Sequence, residues 1–267
     1  MWECPGAAGL RVRGASYLAD RVKVPTCPPA FDLVASDLVA LDEPLYHIAR
    51  FLPSVKLSKS PFLLVFQLML PCSPPLALCC CWEAPLHPER ASLDELLAAT
   101  RARDAQAPSG GSPEQLEASA RAFWVGLRDW LAGDGVEADA SRSRRLKLIP
   151  HIVRGSWVVK RAVGTTPVLL GQKLLTKYYR GPNYFEVDVD VTSNPVANSI
   201  TGLVINAITS LVVDLAFLIE GQDERALPER LLGSIRYNHL RLKGCPYLQV
   251  DGEKGTIVRD GALEDRA

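Results

Sequence analysis

The sequence predicts an α+β fold in which a curved antiparallel β-sheet packs on one long C-terminal helix, with a helical insertion set into the sheet. Three observations predict it. Short apolar runs bounded by Pro and Gly recur between residues 62 and 190, the length and punctuation of strands. Residues 194–220 form one long apolar segment with helix signals at both ends. Between the strand-like runs, Ser92 and Ser112 each stand three positions before a Glu or Gln, the spacing of a capping box.

Taken in order, residues 62–70 (FLLVFQLML) and 76–83 (LALCCCWE) read as two strands joined through PCSPP, whose prolines end a hydrogen-bonded ladder. They form a predicted hairpin. The capping box of Ser92 and Glu95 opens one helix, and that of Ser112 and Gln115 opens another, which sets Leu116, Ala120, Phe123, Leu127 and Trp130 on one face and stops at Gly133. DAQAPSGGSP (104–113) and GDGVEADASRSRR (133–145) read as linkers, so residues 86–143 form an insertion resting on the sheet.

Four further segments read as β structure: RLKLIPHIV, SWVVKRAV, VLLGQKLLTKYY and NYFEVDVDV. The last two are tested by register. Centring the turn on Gly181 and Pro182 sets Tyr178 opposite Phe185, Thr176 opposite Val187 and Leu174 opposite Val189 on an apolar face. The other face then sets Lys177 opposite Glu186 and Lys173 opposite Asp190. Glu186, Asp188 and Asp190 alternate like a carboxylate ladder for Ca²⁺, but the lysines opposite favour a solvated ion-pair face, and no metal is expected.

In residues 194–220, Asn194 is an N-cap, Pro195 fits the first turn and Gly221 supplies a left-handed stop. Such a helix is ~39 Å long, enough to cross a lipid core. Asn198, Asn206 and Asp214 oppose insertion, since an Asp inside a spanning helix costs roughly 2.5–3.5 kcal/mol. The favoured reading is a helix buried on most sides. Ser199, Gly202, Asn206 and Thr209 form a narrow stripe on it, and Asp214 pairs with Lys160 or Arg161. Residues 227–242 give a short helical turn and a closing strand with Ile235, Tyr237 and His239 alternating. The domain therefore runs over 1–242, and 243–267 reads as a mobile tail.

The chain has 267 residues and zero net charge, so its overall balance calls for no nucleic acid. Its N-terminus lacks the apolar stretch of a secretory signal, which places it inside the cell, cytoplasmic or at a peripheral membrane. Seven cysteines include the run Cys79, Cys80 and Cys81, without zinc spacing, and these read as small buried apolar residues, with redox sensing as the alternative. GxSxG, HExxH and GxGxxG are absent, GTTPVLLGQK has the wrong spacing for a phosphate loop, and four scattered histidines lack acidic neighbours. No enzyme and no cofactor are expected. Arg144, Arg145, Lys147, Lys160 and Arg161 gather into a basic patch suited to anionic headgroups, or to a solvated edge that deters strand pairing.

The strings LRVRGASYLADRVKVP, YYRGPNYFEVDVDV, LVVDLAFLIE and LPERLLGSIRYNHL resemble the C-terminal domain family of the plant protein enhanced disease resistance 2, from about Leu10 to Leu242. Ala15 and Ser16 depart from the Pro-Asn that the family tends to carry there. In the family's namesake this domain follows a pleckstrin-homology domain and a START lipid-binding domain. Neither is found in this sequence, so their membrane address is not carried over, and the family supplies no catalytic residues. The predicted architecture is similar to START-like helix-grip folds, by analogy at fold level. A lipid or other apolar small molecule is then expected between sheet and helix, contacted by Trp157, Tyr178, Phe185, Leu203, Asn206 and Ile208, with possible peripheral membrane contact. The alternative is a regulatory protein–protein module with a fully packed core.

Overall fold

The structure is a computed structural model that describes residues 1–5, 9–105, 112–252 and 254–258. The chain opens with β1 (Trp2–Glu3), β2 (Arg11–Arg13), the helical turn α1 (Tyr17–Asp20) and β3 (Lys23–Pro25). Strand β4 (Asp32–Ala40) follows, then the turn α2 (Pro53–Lys56) and the hairpin β5 (Leu63–Leu70) and β6 (Leu76–Glu83). Helices α3 (Leu93–Asp104), α4 (Pro113–Leu131) and α5 (Val136–Arg145) lead into β7 (Leu146–Arg154). After α6 (Trp157–Val163), β8 (Val168–Leu169) and α7 (Leu170–Lys173) come β9 (Leu175–Arg180) and β10 (Tyr184–Asp190). The chain continues through α8 (Pro195–Ala207), β11 (Val212–Ile219), β12 (Leu231–Asn238), β13 (Tyr247–Asp251) and β14 (Lys254–Val258).

The fold is α+β. A strongly curled seven-stranded sheet has the order β14-β13-β4-β6-β5-β10-β9, and a five-stranded sheet has the order β1-β12-β11-β7-β8. The smaller sheet is antiparallel throughout, whereas the larger is mixed, because β10 runs parallel to β5 and β13 parallel to β4. Between the sheets, Phe66 meets Phe217 with ring centroids 4.3 Å apart, and Trp82 donates from Nε1 to the Ser234 carbonyl at 3.2 Å. Gly233 permits this approach, since a Cβ there would lie 2.4 Å from Trp82 Nε1. The other face of the larger sheet buries a second core of Val65, Met69, Cys79 and Cys81 under residues 45–55. Strands covered on both faces explain why β5 and β6 read as unbroken apolar runs.

The hairpin of β5 and β6 forms as the sequence predicts, with Leu70 opposite Leu76. Both capping boxes are present, at Ser92 and Ser112, and α4 buries Ala120, Phe123, Leu127 and Trp130. The contiguous cysteines are buried thiols split between the two cores, and burial pushes Cys80 up to about 12, so its thiolate is disfavoured.

Four expectations are corrected. The long helix ends at Ala207, and its second half is the central strand β11, whose buried faces leave no periodicity to separate helix from strand. Asp214 consequently pairs with the cross-strand Arg236 at 2.7 and 2.8 Å, and not with Lys160 or Arg161. SWVVKRAV is the helix α6, capped by the Ser156 hydroxyl and ended by Gly164 at φ 65°. Residues 136–145, read as part of a linker, are the helix α5, with Glu137 and Asp139 in its first turn and arginines in its last, as the helix dipole favours.

The β9–β10 hairpin exists, but Val187 faces Tyr178, a slip of two residues from the predicted register. The turn is centred one residue later, on Pro182 and Asn183, because Gly181 donates to the Tyr184 carbonyl and the Tyr184 ring occupies the space above Gly181. A slip of two keeps every side chain on its predicted face. Beyond residue 242, β13 and β14 form a hairpin, and Tyr247 pairs with Ala40. Residues 259–267 of the predicted tail and 106–111 of the predicted linker lie outside the described residues.

Candidate functional site

A cavity of about 260 Å³ lies where the two sheets part, beneath α8. Leu68, Leu78 and Val189 line it from the larger sheet, and Leu148, Ile152 and Leu215 from the smaller. Helix α8 roofs it with Ala197, Ile200, Thr201, Val204 and Ile205, and Ile208 in the turn that follows continues the roof. Their spacing of three and four residues is one face of a helix. No residue of α8 is buried, so the roof stands over the space and does not fill it. Val159 and Leu211 hold it laterally, packing with Val163, Val204, Ala207 and Ile208.

The lining is chemically plain. Thr201 and Tyr237 contribute its hydroxyls, and that of Tyr237 is already within 2.8 Å of Ser36 Oγ and 3.0 Å of Cys80 Sγ. Aliphatic walls with so few polar partners hold water poorly and favour an apolar occupant. Among the described residues, no helix is long and apolar enough to cross a membrane.

Of the six residues predicted to contact a ligand, Ile208 lines this cavity. Phe185 is buried in the main core against Trp130 at 5.5 Å, and Tyr178 is half-buried, with its hydroxyl 3.1 Å from Ser143 Oγ. Trp157 is 69% exposed and Leu203 44%, on the outer faces of α6 and α8. Asn206 is exposed and borders a neighbouring groove with Pro74 and Arg241. The stripe of Ser199, Gly202, Asn206 and Thr209 therefore lies away from the cavity, and the stripe that matters is the aliphatic one beginning at Ala197. Its helical spacing is present in the sequence, but it stands out only once α8 is ended at Ala207.

The basic residues divide. Lys147 is buried against Glu229 at 2.5 Å, and Arg145 pairs with Asp129 at 2.8 Å. Arg144, Lys160 and Arg161 are exposed, with the Arg161 guanidinium 5.2 Å from the Trp157 ring centroid.

The opposite face of β10 carries a different environment. Glu186 and Asp188, expected on a solvated face, are buried, because β5 pairs alongside and residues 45–52 cover them. Glu186 Oε1 accepts from the Ala49 backbone N–H at 2.9 Å, and Asp188 Oδ2 from that of His47 at 2.6 Å. Among the described residues, Glu186 Oε2, Asp188 Oδ1 and Gln67 Oε1 meet no hydrogen-bond donor, although His47 Nε2 lies 3.8 Å from Glu186 Oε2. Burial, reinforced by the charge of Asp188, pushes Glu186 up to about 9, and burial also raises Asp188. Burial side by side thus favours retention of a proton by the pair. Asp190, further along, accepts from the Tyr46 hydroxyl at 3.0 Å, and Lys177 lies 3.6 Å from the Tyr46 ring centroid. Among the described residues, no group of three His, Cys, Asp or Glu side chains is arranged to hold a metal ion.

The chain is 32% identical over 255 residues to a protein of Arabidopsis thaliana named Protein ENHANCED DISEASE RESISTANCE 2-like, covering 94% of this chain and 30% of that one. The chain thus spans about a third of the length of this curated relative. No solved structure matches. The family model described as Protein ENHANCED DISEASE RESISTANCE 2, C-terminal, matches residues 2–241, and the chain belongs to that family.

Proposed function

We propose that the chain is a non-enzymatic binder of a lipid or another apolar small molecule, taken up in the cavity beneath α8. The observation that carries this reading is the lining, aliphatic from both sheets and from the roof, with one unengaged hydroxyl, that of Thr201. A recess of about 260 Å³ with aliphatic walls leaves those walls short of packing partners, so an occupant that fills it stabilises the fold as well as being held by it. A regulatory module with a fully packed core is the less supported alternative, because the space under α8 is not filled. A START-like helix grip remains an analogy for the way one helix covers a curled sheet.

Non-enzymatic binding is supported by chemistry and position. The acid pair of Glu186 and Asp188 lies across β10 from the cavity and does not line it. The relative's name carries the words disease resistance, and a regulatory part in that process is the biological setting we propose for the occupied domain. An intracellular, cytoplasmic or peripheral-membrane location fits the reading. Titration with a fluorescent fatty acid tests it: saturable binding, displaced by unlabelled lipid, supports the proposal, and a flat titration rejects it.

A further inference from the structure

The chain as a whole balances 30 basic against 30 acidic side chains, yet the balance is not local. Four segments surround the cavity mouth: residues 71–75, 154–175, 191–211 and 239–246. Not one Asp or Glu occurs in them, whereas Arg154, Lys160, Arg161, Lys173, Arg241 and Lys243 do. All six are exposed, and among the described residues none has a salt bridge. The acids that adjoin these segments are already engaged: Asp190 is buried and accepts from Tyr46 and Thr192, and Asp42 accepts from the Tyr247 hydroxyl.

The same end exposes its largest apolar side chains in a group. Trp157 and Val158 are 69% and 57% exposed on α6, and Val196 and Leu203 are 68% and 44% exposed on α8. The inner residues of these helices, Val159, Val163 and Val204, pack together, so the two helices that carry the exposed four are neighbours. A tryptophan among aliphatic residues, with cations around it, is the composition that favours a membrane–water interface. Unpaired cations beside exposed aliphatic and indole side chains suit an anionic, apolar-cored layer, which takes up both without needing a fixed pattern of partners.

We infer that this end is a docking surface for an anionic lipid bilayer, with the outer faces of α6 and α8 entering the headgroup layer and the cavity mouth facing the membrane. The inference deepens the proposed function, because it names where an apolar ligand passes between bilayer and cavity without crossing water. It also stands apart from that reading: docking needs the surface alone.

Each cation that reaches an anionic surface contributes about fivefold in partitioning, screened within about 10 Å at moderate salt. The test is co-sedimentation of the full chain with vesicles of phosphatidylcholine, alone or mixed with phosphatidylserine. Binding to the mixed vesicles, weakened by salt and accompanied by a blue shift in Trp emission, is expected. Lys160→Glu with Arg161→Glu lowers it more than tenfold, Trp157→Ala lowers it and removes the blue shift, and Arg121→Glu, an exposed cation on α4, leaves it unchanged. Equal sedimentation with both vesicle types, equal loss in the Arg121 variant, or no sedimentation at all overturns the inference, the last pointing to an acidic protein partner. Fatty-acid titration of the same variants separates the two proposals: docking variants that still bind fatty acid locate a failure in the surface, and a chain that sediments but binds no fatty acid locates it in the cavity.

Discussion

On one face of β10, Val189 borders a cavity whose walls are almost entirely aliphatic, whereas on the other face Asp188, its neighbour in sequence, is buried beside a second acid, Glu186. Alternation along a strand sends adjacent residues to opposite sides, so one strand builds both environments. The cavity has room and almost no polar group, and it therefore selects an occupant by shape and oiliness. The acid pair is polar and buried under residues 45–52, and it therefore settles its charge internally by retaining a proton. The contrast separates a place that takes something up from a place that is sealed.

The strongest way to break the contrast is to move charge from one face to the other. Val189→Asp places an unpaired carboxylate against the aliphatic walls and is expected to cost about 3–5 kcal/mol in urea denaturation, with ligand binding lost. A smaller effect comes from filling the space: Ile205→Trp is expected to lower fatty-acid affinity more than tenfold while changing stability by less than about 1.5 kcal/mol.

The acid face answers to pH. An acid whose pKa is raised by folding binds more protons in the folded than in the unfolded chain between ~4, the unfolded carboxylate value, and the raised value. Stability therefore falls as pH rises through that window, towards about 9 for Glu186. His47, Arg50 and Lys177 are the basic groups around the pair, and Tyr46, Tyr179, Tyr184 and Cys79 its other titratable neighbours. Glu186→Gln, which keeps a donor without the titration, is expected to flatten the stability profile and to gain on the order of 1–2 kcal/mol at the alkaline end, read from thermal midpoints against pH. The smallest effect belongs to Trp157→Ala, within about 0.5 kcal/mol of the parent in the same assay, because its ring is mostly in solvent.

What the sequence made legible was local. The β5–β6 hairpin, both capping boxes and the Asn194–Pro195 start of α8 are written in adjacent residues, and each is found where the residues place it. The faces of β10 were legible as faces, since Phe185, Val187 and Val189 alternate with the acids. Their burial was not, because it depends on β5 lying parallel alongside and on residues 45–52 folding over, partners more than 100 positions away. Strand β11 was misread for a related reason. Covered by sheet partners and packed on both faces, VVDLAFLI loses the alternation that marks a strand with one wet face, and joined to α8 it imitates one long helix. Ending that helix at Ala207 leaves Ala197 and Val204 as its inner face over a cavity and Leu203 outside, and reading SWVVKRAV as helix α6 places Trp157 outside as well.

The central claim, an apolar occupant beneath α8, is tested most directly by native mass spectrometry of the purified chain after incubation with a total lipid extract, alongside Ile205→Trp. The account predicts a discrete mass increment that unfolding releases as a lipid and that the tryptophan variant lacks. An increment retained undiminished by Ile205→Trp, or a parent chain that emerges with its bare mass, would contradict it.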